Sequence, residues 1–493
     1  MSVLRPGETC WRVERADRAA ILIDNEAYFA AVFAAITSAR RSILLVGWGF
    51  DPRTRLFPDG HEGLDDPDEI GRVLIELAEA RPQLDIRLLV WRSALPIAAS
   101  QEFFPHKARR WFLNTPVKFR LDDTVPFGAC HHQKVLVVDD RLAFCGGGDI
   151  SVDRWDTPGH LDADQRRIMP KLDLHPPRHE VMMMVDGDAA RALGDLARER
   201  WKGAVGETLA PPLDAGGDPW PDHVPAHFTQ VDVGIARTAP AWRRPTTIEE
   251  IRKLAVASIF EAKSLIYLEN QYFTAPWAAE ALAARLAEPD GPEVVLISTG
   301  MSPSWFDRLT MDRARSLMLW RLRAADVYGR FRAYWPNTPR GDCIIVHSKV
   351  SIFDDQIVRV GSANLNNRSA GFDTECELAI EVEGADAHTM VSAFRDRLVG
   401  HFMGCTGDAV AKAMVEFGGL GPAIDALNRD GRLRPLEPRA MTPLGDFIAR
   451  HHLGDPSNVA DSWNPIRRRE RLFEEARRIA LDGRAAELGD PFR

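Results

Sequence analysis

No stretch of this 493-residue chain approaches the ~18 uninterrupted apolar residues that a membrane-spanning helix needs. Its longest apolar runs, ILLVGW at 43–48 and VMMMV at 181–185, have the length of strands. The opening MSVLRPGETCWRVERADRAAILID mixes charges with apolar residues and lacks the continuous apolar core of a secretory signal. A cytoplasmic or peripheral-membrane location is therefore expected, with signal-less export left open. Cysteine is sparse: 6 residues, at positions 10, 130, 145, 343, 376 and 405, with no CxxC pair. That scatter favours reduced thiols over a disulfide framework. Cys130-His131-His132 has no second ligand pair at finger-like spacing, so a zinc site is not expected there. Positive charge is in deficit, with 62 Lys and Arg against 71 Asp and Glu and a net charge of −9. A general nucleic-acid binder is disfavoured, although a local basic pocket is not.

What is present is an ordinary globular composition, long enough for two or three domains, and an order of segments that occurs twice. DNEAYFAAVFAAITSARRS (24–42) has the apolar spacing of a helix and runs into ILLVGWGF. TTIEEIRKLAVASIFEAKS (246–264), with Thr247 and Glu250 placed as in a capping box, runs into LIYLENQYF. The copies stay in step through DIRLLVWRS and EVVLISTG, VKFRL and RFRAYW, HHQKVLVVDDRLAFCGGGD and VHSKVSIFDDQIVRVGSAN, then HEVMMMVDG and CELAIEVEG. Alternating helices and apolar strands predict an α/β fold. The expected form is two repeated α-β-α sandwich lobes with mixed sheets about a pseudo-twofold axis, plus a C-terminal helical extension. Boundaries are placed at 20–205 and 246–405 for the lobes and 206–245 for a Pro/Gly/Asp-rich linker. Residues 406–493 form the extension.

Both copies carry one string: His, one residue, Lys, four residues, Asp, six residues, Gly. In the first these are His132, Lys134, Asp139 and Gly146, followed by Gly147 and Asp149; in the second, His347, Lys349, Asp354 and Gly361, followed by Ser362 and Asn364. Residues i and i+2 of a strand share a face, so each His points the same way as its Lys. Two such half-sites would combine two imidazoles, two ammonium groups and several hydrogen-bond donors. That set suits a phosphodiester. One imidazole attacks phosphorus, the other serves the leaving and entering oxygens, and the Lys, Asn and glycine-loop donors stabilise the phosphoryl charge. No metal is called for. Glu180 and Glu377, each seven residues before Gly187 or Gly384, are the candidates to orient the histidines. Asp139 and Asp354 complete the motif at the far end of the strand, where a turn or ion-pair role is expected; His131 should face away from His132.

At these residues the chain resembles the phospholipase D superfamily, the duplicated HKD phosphodiesterases, over about residues 20–405. HHQK, GGGDISVDRWDT, IYLENQYF and HSK…GSANLNNRS place the likeness nearest the phospholipase D (transphosphatidylase) branch, with motifs at 131–158 and 346–373. The resemblance implies hydrolysis of phosphatidylcholine-like lipids to phosphatidic acid, or phosphatidyl transfer to an alcohol. It further implies a phosphohistidine on His132, His347 as acid/base, and no cofactor. The implied partners are a phospholipid at a membrane surface and a water or alcohol acceptor, with no nucleic acid and a monomeric chain. Cardiolipin synthase-like transfer, an HKD nuclease and a non-catalytic scaffold remain alternatives. Where many members have Ser-x-Asn, this chain has Gly147-Gly148-Asp149, and Asp149 is expected to pair with Lys134 or Arg154. Trp277 and Trp305-Phe306 are weighed as lipid-facing loop residues against ordinary core.

Overall fold

The computed structural model describes residues 2–60, 68–93, 105–171, 173–213, 216–440, 442–460 and 462–487, so residues 488–493 of the expected extension lie outside it. The repeat seen in the sequence is the plan of one mixed sheet, of 16 strands among the described residues. From the centre outward the first half runs Arg12–Ile23, Val181–Asp186, Leu142–Gly146, Val135–Val138, Ser42–Gly47, Asp85–Trp91, Lys118–Asp122. The second half runs Phe228–Ala239, Glu375–Glu381, Ile357–Gly361, Lys349–Phe353, Leu265–Asn270, Glu293–Ile297, Phe331–Pro336. In both halves the inner pairs are antiparallel and the two outermost pairs parallel.

The halves join where Arg12–Ile23 and Phe228–Ala239 pair antiparallel, Arg12 opposite Ile235 and Ala19 opposite Phe228. Phe228–Ala239 falls inside the segment read as a linker, and Arg12–Ile23 begins before the first lobe was placed. Both are central strands, the first polar at its outer end and buried only from Ala19 onward apart from Ala16. Inner strands carry apolar residues on both faces, because the sheet has a core on either side. Met182 and Met184 pack with the helix Asp24–Ser38, whereas Val181, Met183 and Val185 enter a core shared by both halves. That shared core also takes Val358, Val360, Leu378 and Ile380 of the second half, with the helices Gly187–Val205 and Ala385–Met403 closing it.

The C-terminal extension is helical, as expected from its pattern, and adds one strand, Leu433–Pro435, to the edge at Phe331–Pro336. All six cysteines are free. Among the described residues no helix is long and apolar enough to cross a membrane. Trp277 is core, 4% exposed, whereas Trp305 stands 69% exposed with Phe306 beside it.

Candidate active site

The turn between the two strands of each motif is set by its aspartates. Asp139 accepts the amides of Arg40, Arg41 and Ser42 at 2.7–2.8 Å, and Asp354 accepts those of Lys263, Ser264 and Leu265. Both have left-handed backbone, φ 54° and 51°. Each thus braces the start of the neighbouring strand, Ser42–Gly47 or Leu265–Asn270. The structure removes both from the set of groups able to touch a substrate.

At the other end of the motif the halves hold each other. His132 N donates to the Thr374 carbonyl at 2.9 Å, and His347 N to the His179 carbonyl at 2.8 Å. The residues that follow these carbonyls, Glu375 and Glu180, reach the histidines from the opposite half. His132 Nδ1 lies 3.0 and 3.1 Å from the Glu375 carboxylate oxygens, and His347 Nδ1 lies 2.9 Å from Glu180 Oε1. Each lysine folds back to its own histidine's carbonyl, Lys134 Nζ at 3.0 Å and Lys349 Nζ at 2.6 Å. Gly147 permits the close approach of the half-sites, since a Cβ there would stand 2.8 Å from the His347 carbonyl oxygen; at Gly148 one would stand 2.6 Å from Glu180 Oε2.

The expectation for Glu377 is corrected. Its carboxylate pairs with Arg359, and Glu375 takes the place opposite His132. Gly146 lies opposite Met182 and Gly361 opposite Glu377, so Glu180 and Glu375 are the equivalent pair. The turn before Gly384 is longer than that before Gly187, and counting back from the glycines slips two residues along the strand. The glycine loops are corrected too. The Gly147 and Ser362 amides are spent on the Val181 and Cys376 carbonyls, and Gly146 and Gly361 make room for the next strand. Stabilisation of an anion therefore rests on side chains. Asn364 is buried, and its Oδ1 has no hydrogen-bond partner among the described residues.

Burial, with Lys134 and Lys349 adding like charge, holds His132 well below its ordinary pKa. His347 is lowered in the same way by burial, Lys349 and Arg154. Lys349 is itself pushed down by burial and by Lys134, while burial raises Glu375 to about 7 and Glu180 above the usual carboxylate range. The site thus sets two imidazoles, each disfavoured from taking a proton, against the carboxyl groups of Glu375 and Glu180, with Lys134 and Lys349 beside them.

Two family models match, "Phospholipase D" over residues 35–216 and "Cardiolipin synthase, PLD-like domain" over residues 256–398, one for each half. The chain belongs to the phospholipase D superfamily. It is 23% identical over 515 residues to phospholipase D1 of Schizosaccharomyces pombe, covering 81% of this chain and 36% of that protein. To phospholipase D A of Dictyostelium discoideum it is 25% identical over 426 residues, 73% of this chain and 32% of the relative. To cardiolipin synthase A of Pseudomonas entomophila it is 28% identical over 368 residues, 73% and 64%. The chain spans between about a third and three fifths of the length of the phospholipases it matches. Its fold is similar to that of phosphatidylserine synthase from Haemophilus influenzae (TM-score 0.51, 12% identity, 84% of this chain and 97% of that one).

Around the superfamily motif lie residues that sequence reasoning overlooked, Ser369, Asn25 and Asp455, and others that it had named in different roles. Ser362 and Ser369 hydroxyls hold the Glu375 carboxylate, while Arg154 (2.8 Å) and Asn25 (2.7 Å) hold Glu180. Asp455 of the C-terminal extension accepts Thr274 Oγ1 and the Asn367 and Arg368 amides, fixing the short helix that carries Ser369. Asp149 forms an ion pair with Lys134 at 3.3 Å and accepts the Trp48 and Gly49 amides. His131 faces away, against Asp122 and Thr374. A signal for Glu375 was available: His179-Glu180 and Thr374-Glu375 are each a polar residue and a Glu directly before a buried run.

Proposed function

We propose that this chain is a phospholipase D-type phosphodiesterase of the transphosphatidylase branch. It would hydrolyse glycerophospholipids to phosphatidic acid or transfer their phosphatidyl group to an alcohol at a membrane surface, working as a monomer. The observation that carries the reading is the crossed pairing, His132 with Glu375 and His347 with Glu180, around two lysines. With a carboxyl group set against Nδ1, each imidazole has Nε2 left for the diester. His132 Nε2 attacks phosphorus to form the P–N bond. The P–O bond to the departing alcohol breaks, and its oxygen takes a proton from His347. His347 then takes a proton from water or an acceptor alcohol, whose oxygen attacks phosphorus and releases His132. Lowered histidine pKa values supply the neutral nucleophile. The diester's negative charge offsets that of the lysines and lets His347 hold its proton for the first step. Lys134, Lys349 and Asn364 provide the charge and donors along the phosphoryl oxygens, so no metal is invoked.

The test is phosphatidylcholine vesicles with a primary alcohol. Wild type should form phosphatidylalcohol, His132→Ala and His347→Ala should lose at least about 10³-fold in rate, and an acid-labile, alkali-stable phosphoryl label should accumulate on His132. Turnover of phosphatidylglycerol to cardiolipin without phosphatidylcholine turnover favours the synthase alternative. DNA cleavage in place of lipid turnover overturns the proposal.

A further inference from the structure

One residue before Glu180, His179 belongs to a second, enclosed group of ionisable side chains that the phosphodiesterase mechanism leaves unused. Asp24, His160, His179 and His401 bring potential ligand atoms within 4.8 Å of one another. His179 is fully engaged, Nδ1 on Asp24 Oδ1 and Nε2 on Glu269 Oε2, both at 2.9 Å. The other three are not. Asp24 Oδ2, His160 Nε2 and both ring nitrogens of His401 are buried without a hydrogen-bond partner.

Their arrangement is hard to reconcile with protons alone. His160 Nδ1 lies 2.9 Å from Asp156 Oδ2, the contact by which a carboxylate fixes an imidazole tautomer and turns Nε2 outward as a lone pair. That Nε2 faces Asp24 Oδ2 at 3.6 Å. Two lone-pair atoms then confront each other in the interior, and the gap is too long for a hydrogen bond if a proton were placed between them. It matches the separation of two ligands that each stand about 2.0–2.2 Å from one tetrahedral metal ion. The His401 ring, centred 4.7 Å from that of His179 and 5.5 Å from that of His160, adds a third donor from the opposite half. Phe402 packs on the rings and supplies an apolar wall.

We propose that Asp24 Oδ2, His160 Nε2 and a ring nitrogen of His401 form a binding site for a divalent transition metal of the zinc class. Two imidazoles and one carboxylate suit zinc or cobalt and are a poor set for calcium or magnesium, which take oxygen ligands. Asp156 orients His160, and His179, clamped by Glu269, orients Asp24. The ion has no part in the phosphoryl chemistry. It ties the start of helix Asp24–Ser38 and the loop at His160 to helix Ala385–Met403 of the other half. It thereby steadies the His179 carbonyl on which the His347 and Ser348 amides hang.

The full chain, freed of metal with a chelator and titrated with Co²⁺, should take up one equivalent. Visible d–d absorption of a nitrogen-ligated ion should appear, and one equivalent of Zn²⁺ should displace it. Zn²⁺ should raise the wild-type melting temperature. His401 bonds to no other element among the described residues, so His401→Ala should remain folded by circular dichroism yet lose the absorption and the thermal response. His160→Gln should do the same. Absence of saturable Co²⁺ and Zn²⁺ binding by wild type overturns the proposal, as does binding that both variants retain.

Discussion

The two half-sites share a strand order, a motif and a pairing rule, yet they differ in charge. In the first half Lys134 is neutralised by Asp149, and the carboxylate behind its histidine, Glu375, is held by the hydroxyls of Ser362 and Ser369. In the second half Asn364 stands where Asp149 would. Lys349 has no carboxylate within ion-pair distance among the described residues, and Glu180 is held by the Arg154 guanidinium. Duplication reproduces geometry, because strands and turns are fixed by apolar pattern and backbone. The electrostatics of each copy is free to drift, since a single polar exchange changes a charge without moving a strand. On the proposed reading, Lys349 of the second half is the lysine left to pair with an incoming phosphodiester anion.

The strongest way to break this comparison is to remove the carboxylates. Glu375→Gln and Glu180→Gln should each lower kcat by about 10²–10⁴-fold, since each leaves an imidazole without the group that fixes its tautomer. Glu377→Gln should leave kcat within about twofold while costing roughly 3 kcal/mol of stability by stranding Arg359. Steady-state rates and urea unfolding check the pair. A next test makes the halves alike in charge. Asp149→Asn frees the Lys134 ammonium, so inorganic phosphate should inhibit the variant roughly threefold to tenfold more tightly, read as Ki.

A finer test uses pH. The Ser362 and Ser369 hydroxyls hold Glu375 down against burial, which has already brought it to about 7. In Ser369→Ala the carboxyl rises further, so the acid limb of the kcat profile should move to higher pH by about one pH unit. A limb that stays in place would assign the carboxylate dependence to Glu180 instead. The smallest effect is shared by both halves. His132 and His347 have folded-state pKa values well below 6.5, so below that pH the unfolded chain binds more protons than the folded one. Their contribution to stability is level above about pH 6.5 and declines as pH falls. The melting temperature should drop by a few degrees from pH 7 to pH 5, and less steeply in either His→Ala variant.

The plan of the fold could be read from the chain because helices and buried strands carry strong periodicity and the order recurs. Arg12–Ile23 and Phe228–Ala239 escaped notice because the exposed or half-buried polar residues of RVERAD and TQVD break the apolar pattern of these long central strands. The His-x-Lys pairs stood out because chemistry needs those residue types at that spacing, whereas Glu375 was displaced by a two-residue difference in turn length. Asp24, His160 and His401 could not be assembled from sequence, since only the tertiary fold brings a helix start, a loop and a distant helix together. Asp455 was equally hidden, lying in an extension outside the repeat.

The crossing of the carboxylates has a consequence for how such a chain can be divided. Cut between the halves, either piece would hold a histidine lacking its carboxylate and a carboxylate lacking its histidine. Two copies of one piece, facing each other, would hold both complete sets. In its parts, the chain is a dimer whose subunits happen to be joined by a peptide bond, and its chemistry belongs to the seam and to neither side.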